Sequence, residues 1–186
     1  MKRLIAILLL GVWGFGNPTE QKDIFKSLLT EALREKYSMQ IYCIPPDILF
    51  YAPLNQEQAR DSSKKGFYGK TFAKLHTYEQ YKDKLQDFIA NHNLSIIKES
   101  KNKRGHNTCV VDFMREGEIV HTFSFEGYYA TQEDGANKLF IDDKAYLWKQ
   151  YKAIGDFQTM FCPYPEFLKN GIGTNGDQTN NLYQNS

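Results

Sequence analysis

The sequence predicts an α+β domain: a mostly antiparallel sheet with two or three helices packed on one face. Three observations predict it. Residues 106–129, HNTCVVDFMREGEIVHTFSFEGYY, are two β-branched and aromatic runs joined by a short charged turn with Gly117, the pattern of a β-hairpin. Apolar residues recur at helical spacing in three other stretches. The elements then follow the order helix, short strands, helix, β-meander, helix, with the meander centred on hairpin 107–129. Helices set against one antiparallel sheet bury the apolar faces of such a series.

Residues 1–16, MKRLIAILLLGVWGFG, have the form of a secretory signal peptide. Lys2 and Arg3 make a positive start, Leu4–Leu10 is apolar, and Gly14 and Gly16 offer small residues for cleavage near Gly16. The apolar run is short for a membrane span, so no integral span is expected in the mature form. Cleavage takes Lys and Arg from 23 to 21 against 22 Asp and Glu, a side-chain balance of −1. A near-neutral protein is not a general nucleic-acid binder. The expected location is the periplasm or the extracellular space.

A single domain is expected over residues 17–168, with an aromatic content of 15% to build its core. Asn17-Pro18 suits a helix start, and Ile24, Phe25, Leu28, Leu29, Ala32, Leu33 and Tyr37 mark an amphipathic helix over 18–37. Residues 39–44 read as a strand, broken by Pro45 and Pro46, and 48–52 as a second extended piece. Residues 55–72 read as a loop, or a short helix followed by one. Thr77 and Gln80 form a capping box for a helix whose buried face carries Tyr78, Tyr81, Leu85, Phe88 and Ile89.

A strand over 94–97 and a basic turn over 98–104 lead into the hairpin. Residues 138–141 read as a short strand, followed by a helix over 143–154 capped by Asp142 or Asp143 and ended by Gly155. Residues 157–168 read as an irregular aromatic strip, and 169–186 as a flexible polar tail.

Three cysteines allow one bridge and leave one thiol. Cys43 and Cys162 both lie beside prolines that interrupt regular structure, and they are the expected pair in an oxidising compartment. Cys109, inside a strand, suits a buried free thiol. A two-residue turn at Glu116-Gly117 would set Asp112 opposite His121 and Cys109 opposite Ser124. Cys109 and His121 would then face opposite sides of the sheet, which disfavours a thiol–imidazole pair.

The candidate catalytic residues are therefore Asp112 and His121, with Glu126 as a third group. No nucleophile-elbow, zinc-protease or CxxC pattern occurs, and the four histidines are too scattered to propose a metal site. No cofactor is implied. Exposed aromatics make good interface anchors, and Phe67, Tyr68, Tyr128, Tyr129 and Trp148 are the binding candidates, with Tyr164 and Phe167 beside them. The favoured reading is a small exported binding or accessory protein that contacts another protein or an envelope component. The alternatives are a small secreted hydrolase using the Asp–His pair and a subunit of an envelope or secretion assembly.

Overall fold

The computed structural model describes residues 23–48, 50–126 and 136–164. The proposed signal segment, the polar tail, Tyr128, Tyr129 and Phe167 lie outside the described residues. The fold is α+β. Four helices are described: α1 (Ile24–Arg34), α2 (Gln56–Lys65), α3 (Tyr78–Asn91) and α4 (Tyr151–Phe161). Seven strands are β1 (Ser38–Cys43), β2 (Ala73–His76), β3 (Lys98–Glu99), β4 (Asn107–Arg115), β5 (Glu118–Glu126), β6 (Asn137–Ile141) and β7 (Lys144–Trp148). They form one antiparallel sheet in the order β2-β1-β4-β5-β6-β7-β3, so β4 to β7 make a meander around the β4–β5 hairpin.

Local chemistry sets the helix ends. Beyond α1, Lys36 takes a left-handed conformation (φ 55°) and Tyr37 N–H donates to Ala32 O at 3.2 Å, a Schellman closure. At α2, Asn55 accepts from Gln58 N–H at 2.8 Å, and Gln58 Oε1 accepts from Asn55 N–H at 3.0 Å. The same box form opens α3, where Thr77 N–H donates to Gln80 Oε1 at 2.9 Å.

Alternate strand residues separate the two faces of the sheet. Cys109, Val111 and Phe113 of β4 point into the main core, against Phe25, Leu28 and Leu29 of α1, Leu85 and Phe88 of α3, and Phe157 and Phe161 of α4. Val110 points the other way, into a small cluster with Tyr42, Ile44, Leu54 and Ala59 of α2. Three helices thus cover one face, and α2 alone among the described helices sits on the other. The main core is aromatic: Phe25 meets Phe123, Phe125 and Trp148 edge-on at 5.2, 6.0 and 5.4 Å. Such contacts add about 0.5–1.5 kcal/mol each beyond burial of area.

The central hairpin has the expected two-residue turn, with φ 53° at Glu116 and 91° at Gly117. Arg115 pairs with Glu118 and Met114 with Ile119, but the register then shifts and Phe113 pairs with His121. Val120 is the extra residue of a β-bulge. From there to Cys109 the expected pairs are wrong by one: Asp112 opposes Thr122, and Cys109 opposes Phe125; a second irregularity at Thr108 brings Asn107 back opposite Glu126.

The second half of the chain corrects three further expectations. Residues 94–97 are not a strand; the edge strand is β3, paired with β7. Residues 144–148 are strand β7, because Asp142-Asp143 forms the turn of a hairpin that pairs Ile141 with Lys144. The last helix then runs through Gly155 and carries Phe157 and Phe161 into the core, where an irregular strip was expected. A disulfide joins Cys43 at the end of β1 to Cys162 just after α4, with Cα atoms 5.9 Å apart and a sequence separation of 119. In the chain-entropy account a loop of that length is worth about 5 kcal/mol.

Candidate functional site

The face of the sheet under α2 is polar, and that sets it apart from the aromatic core. Asp112, Thr122, Ser124, Glu126 and Lys138 share it by strand alternation. Asp112 is 1% exposed and carries a two-pronged ion pair: Arg60 Nε donates to Oδ2 at 2.9 Å and Nη2 to Oδ1 at 2.6 Å. Thr122 Oγ1 donates to the same carboxylate at 2.7 Å. Gln56 Nε2 donates to Ser124 Oγ at 3.0 Å, and Ser124 donates to Asn107 Oδ1 at 2.6 Å. Buried Lys138 sends its ammonium to Arg104 O at 2.7 Å, and its backbone N–H donates to Glu126 Oε2 at 3.0 Å. Leaving a polar group buried and unpaired is costly, and this network pairs these groups.

A cleft of about 680 Å³ opens over this network, between the start of α2 and residues 103–107. Phe140 lies in it, Arg60, Lys103 and Arg104 give it positive charge, and Glu57, Asp142 and Asp143 give it negative charge. Its back wall explains Gly105. A Cβ there would stand 2.5 Å from the Phe140 ring, so only glycine lets the loop lie this close.

An aromatic ledge continues from the cleft. His106 lies 6.1 Å from the Phe50 ring, Phe50 lies 6.2 Å from Phe67, and Phe67 lies 5.9 Å from Phe72. Two exposed phenols adjoin this row in sequence, Tyr51 next to Phe50 and Tyr68 next to Phe67. Tyr51 is fully exposed, and Tyr68 is 55% exposed and donates its hydroxyl to Asp47. The turn that presents Tyr68 is tight: Phe67 and Lys70 bond each other's backbone, and Gly66 has φ 84°. A Cβ on Gly66 would come within 2.2 Å of Lys70 O.

The structure does not bring the expected catalytic pair together. Asp112 faces α2, whereas His121 faces α1, with Nε2 3.6 Å from Glu31 and Nδ1 3.3 Å from Asp142. The bulge at Val120 causes this separation. Glu126 shares the Asp112 face but is buried. Ser124, a hydroxyl on that face, bonds Asn107 and Gln56 rather than an imidazole. Trp148 is not a surface anchor: it is fully buried and stacked on Phe125 at 5.5 Å. Tyr164 is also buried and donates to Ile44 O at 2.8 Å. Phe67 and Tyr68 remain at the surface on the ledge.

Arg60 and the cleft were missed from the sequence. One signal was present. Asn55-x-x-Gln58 has the same form as Thr77-x-x-Gln80, and small Ala59 and Ser63 four residues apart mark the face that lies close to the sheet.

Two histidines tie this architecture to pH. Burial lowers the pKa of His106 below 6.5, and its Nδ1 accepts from Leu54 N–H at 3.0 Å, which requires a neutral nitrogen. Burial likewise lowers His76, outweighing its bond to Phe161 O. The unfolded chain therefore binds more protons than the fold below about pH 6.5, so stability falls as pH drops through that value toward the depressed folded pKa values. Urea midpoints at pH 7.5 and 5.5 check this: wild type should lose more stability than His106→Gln across the interval. Equal losses would remove His106 from the account.

Comparison with protein-family models, curated proteins and solved structures finds no match to this chain.

Proposed function

We propose that the protein is an exported binding module that holds a segment of another protein or of an envelope component across the α2 face. The observation that carries this reading is the pair of exposed tyrosines, Tyr51 and Tyr68, adjoining in sequence a packed aromatic row beside a cleft of mixed charge. Tyrosine supplies large contact area with few rotatable bonds, and interface energy concentrates in such anchors. The cleft beside them offers both signs of charge to a polar chain. The Cys43–Cys162 bridge agrees with an oxidising compartment. Among the described residues no helix is long and apolar enough to cross a membrane. A hydrolase built on Asp112 and His121 lacks the geometry it requires, because those side chains leave the sheet on opposite faces.

The test is capture from the native envelope and medium fractions with the tagged mature protein, alongside the Tyr51→Ala/Tyr68→Ala variant. Wild type should retain a stoichiometric partner that the variant loses by at least tenfold in affinity. The variant's unfolding free energy should stay within about 0.5 kcal/mol of wild type, as for exposed positions. A partner held equally by both proteins would place the interface elsewhere.

A further inference from the structure

The three cysteine sulfurs of the chain converge on one point. Cys43, Cys109 and Cys162 Sγ lie within 4.8 Å of one another, and all three residues are buried. Cys43 and Cys162 form the disulfide, and Cys109 is a free thiol. The free thiol thus packs against both sulfurs of the bridge.

The backbone provides a second pairing. Cys43 and Cys109 are directly opposite on β1 and β4. Cys43 N–H donates away from β4, to Phe72 O at 3.1 Å, while Ile44 N–H donates to Thr108 O at 2.8 Å. Cys43 and Cys109 are therefore a non-hydrogen-bonded pair of the ladder. Such pairs hold their Cα atoms about 4.5 Å apart, inside the span of roughly 4.4–6.8 Å that a disulfide bridges. Cys162, by contrast, lines a cavity of about 400 Å³ beside Lys74 and His76 of β2 and Lys84 and Asp87 of α3.

We propose that the three cysteines form a thiol–disulfide exchange centre, in which the bridge passes from Cys43–Cys162 to Cys43–Cys109 and leaves Cys162 as a free thiol at the cavity. The step balances internally. Cys109 gives up its proton and its sulfur attacks Cys43 Sγ. One S–S bond forms, the Cys43–Cys162 bond breaks, and the electron pair leaves on Cys162 sulfur, which takes up a proton. No oxidant or reductant is consumed. Lys74 and Lys84 line the same cavity as Cys162 and give it positive charge that favours a thiolate, with Asp87 the opposing charge. Burial pushes the Cys109 thiol up, so attack is slow in the closed fold and the resting bridge is long-lived. The buried phenol of Tyr164 lies near Cys109 as well. Exchange would untether the end of α4 from β1 while keeping β1 and β4 joined.

The test is slow alkylation of the folded, full protein with iodoacetamide, followed by acid denaturation and peptide mapping without reduction. The expected product carries the label on Cys162 and a Cys43–Cys109 bridge, rising with time. Label confined to Cys109, or no label beside an intact Cys43–Cys162 bridge, would overturn the proposal. Cys109→Ser should leave Cys162 unlabelled; labelling there would mean the bridge opens by another route. In Cys162→Ser made in an oxidising compartment, thiol titration in denaturant should find no free thiol. Two free thiols would count against the alternative bridge. Mapping of the wild-type chain decides the matter even where Cys162→Ser does not fold.

Discussion

Arg60→Ala is expected to lower the unfolding free energy by about 3–5 kcal/mol, the cost of leaving one member of a buried ion pair alone. The asymmetry lies in the exposures: the Arg60 side chain is 20% exposed, whereas that of Asp112 is 1% exposed. Water can solvate the guanidinium in part but does not reach the carboxylate. Without Arg60, Asp112 keeps only the Thr122 hydroxyl among the bonds described above. Arg60→Lys should fall between, because an ammonium cannot reproduce the two parallel bonds to Oδ1 and Oδ2. Removing both partners, as in Arg60→Met/Asp112→Leu, should recover most of the loss, since apolar groups of similar volume replace a buried pair at little net cost. Urea denaturation of the four proteins measures all of this. A loss below about 1 kcal/mol for Arg60→Ala would mean that solvent reaches Asp112.

This pair also shows where the sequence stopped being legible. The α+β class, β1, the α3 capping box, the Glu116-Gly117 turn and the Cys43–Cys162 bridge could all be read from short-range chemistry: periodicity, side-chain caps, a glycine with positive φ, prolines beside cysteines. The partner of Asp112 could not. One extra residue at Val120 turns every side chain beyond it to the other face, and no residue type in EIVHTF announces a bulge. Arg60 lies 52 residues from Asp112, so only the tertiary fold brings them together. The binding candidates divide for the same reason. Trp148 and Tyr68 are both aromatic residues followed within two positions by a lysine, yet one closes the core and the other stands on a surface turn. The segment KAYLW adds a different ambiguity: its short apolar run fits a buried strand as well as a helix turn, and length alone could not decide. Reading it as helix sets the last helix at 143–154 instead of 151–161 and leaves Phe157 in an irregular strip.

That displacement makes Phe157→Ala the sharpest test of the main core. Phe157 is fully buried, with ring centroids 5.2 Å from Phe88, 5.5 Å from Phe123, 5.3 Å from Phe125 and 4.6 Å from Phe161. It joins α3 and α4 to the central hairpin. Truncation to alanine removes the transfer free energy of the ring and opens a cavity between elements that cannot all collapse onto it. The expected loss is about 3–5 kcal/mol. Alanine is also the best helix former, so helix propensity does not add to that loss. Lys152→Ala, on the exposed side of the same helix, should change stability by no more than about 0.5 kcal/mol. An irregular surface strip would make the two substitutions equally mild. A large loss at Phe157 with none at Lys152 requires a helix that turns one face into the core, which also holds Cys162 beside Cys43 and Cys109 where the three sulfurs meet.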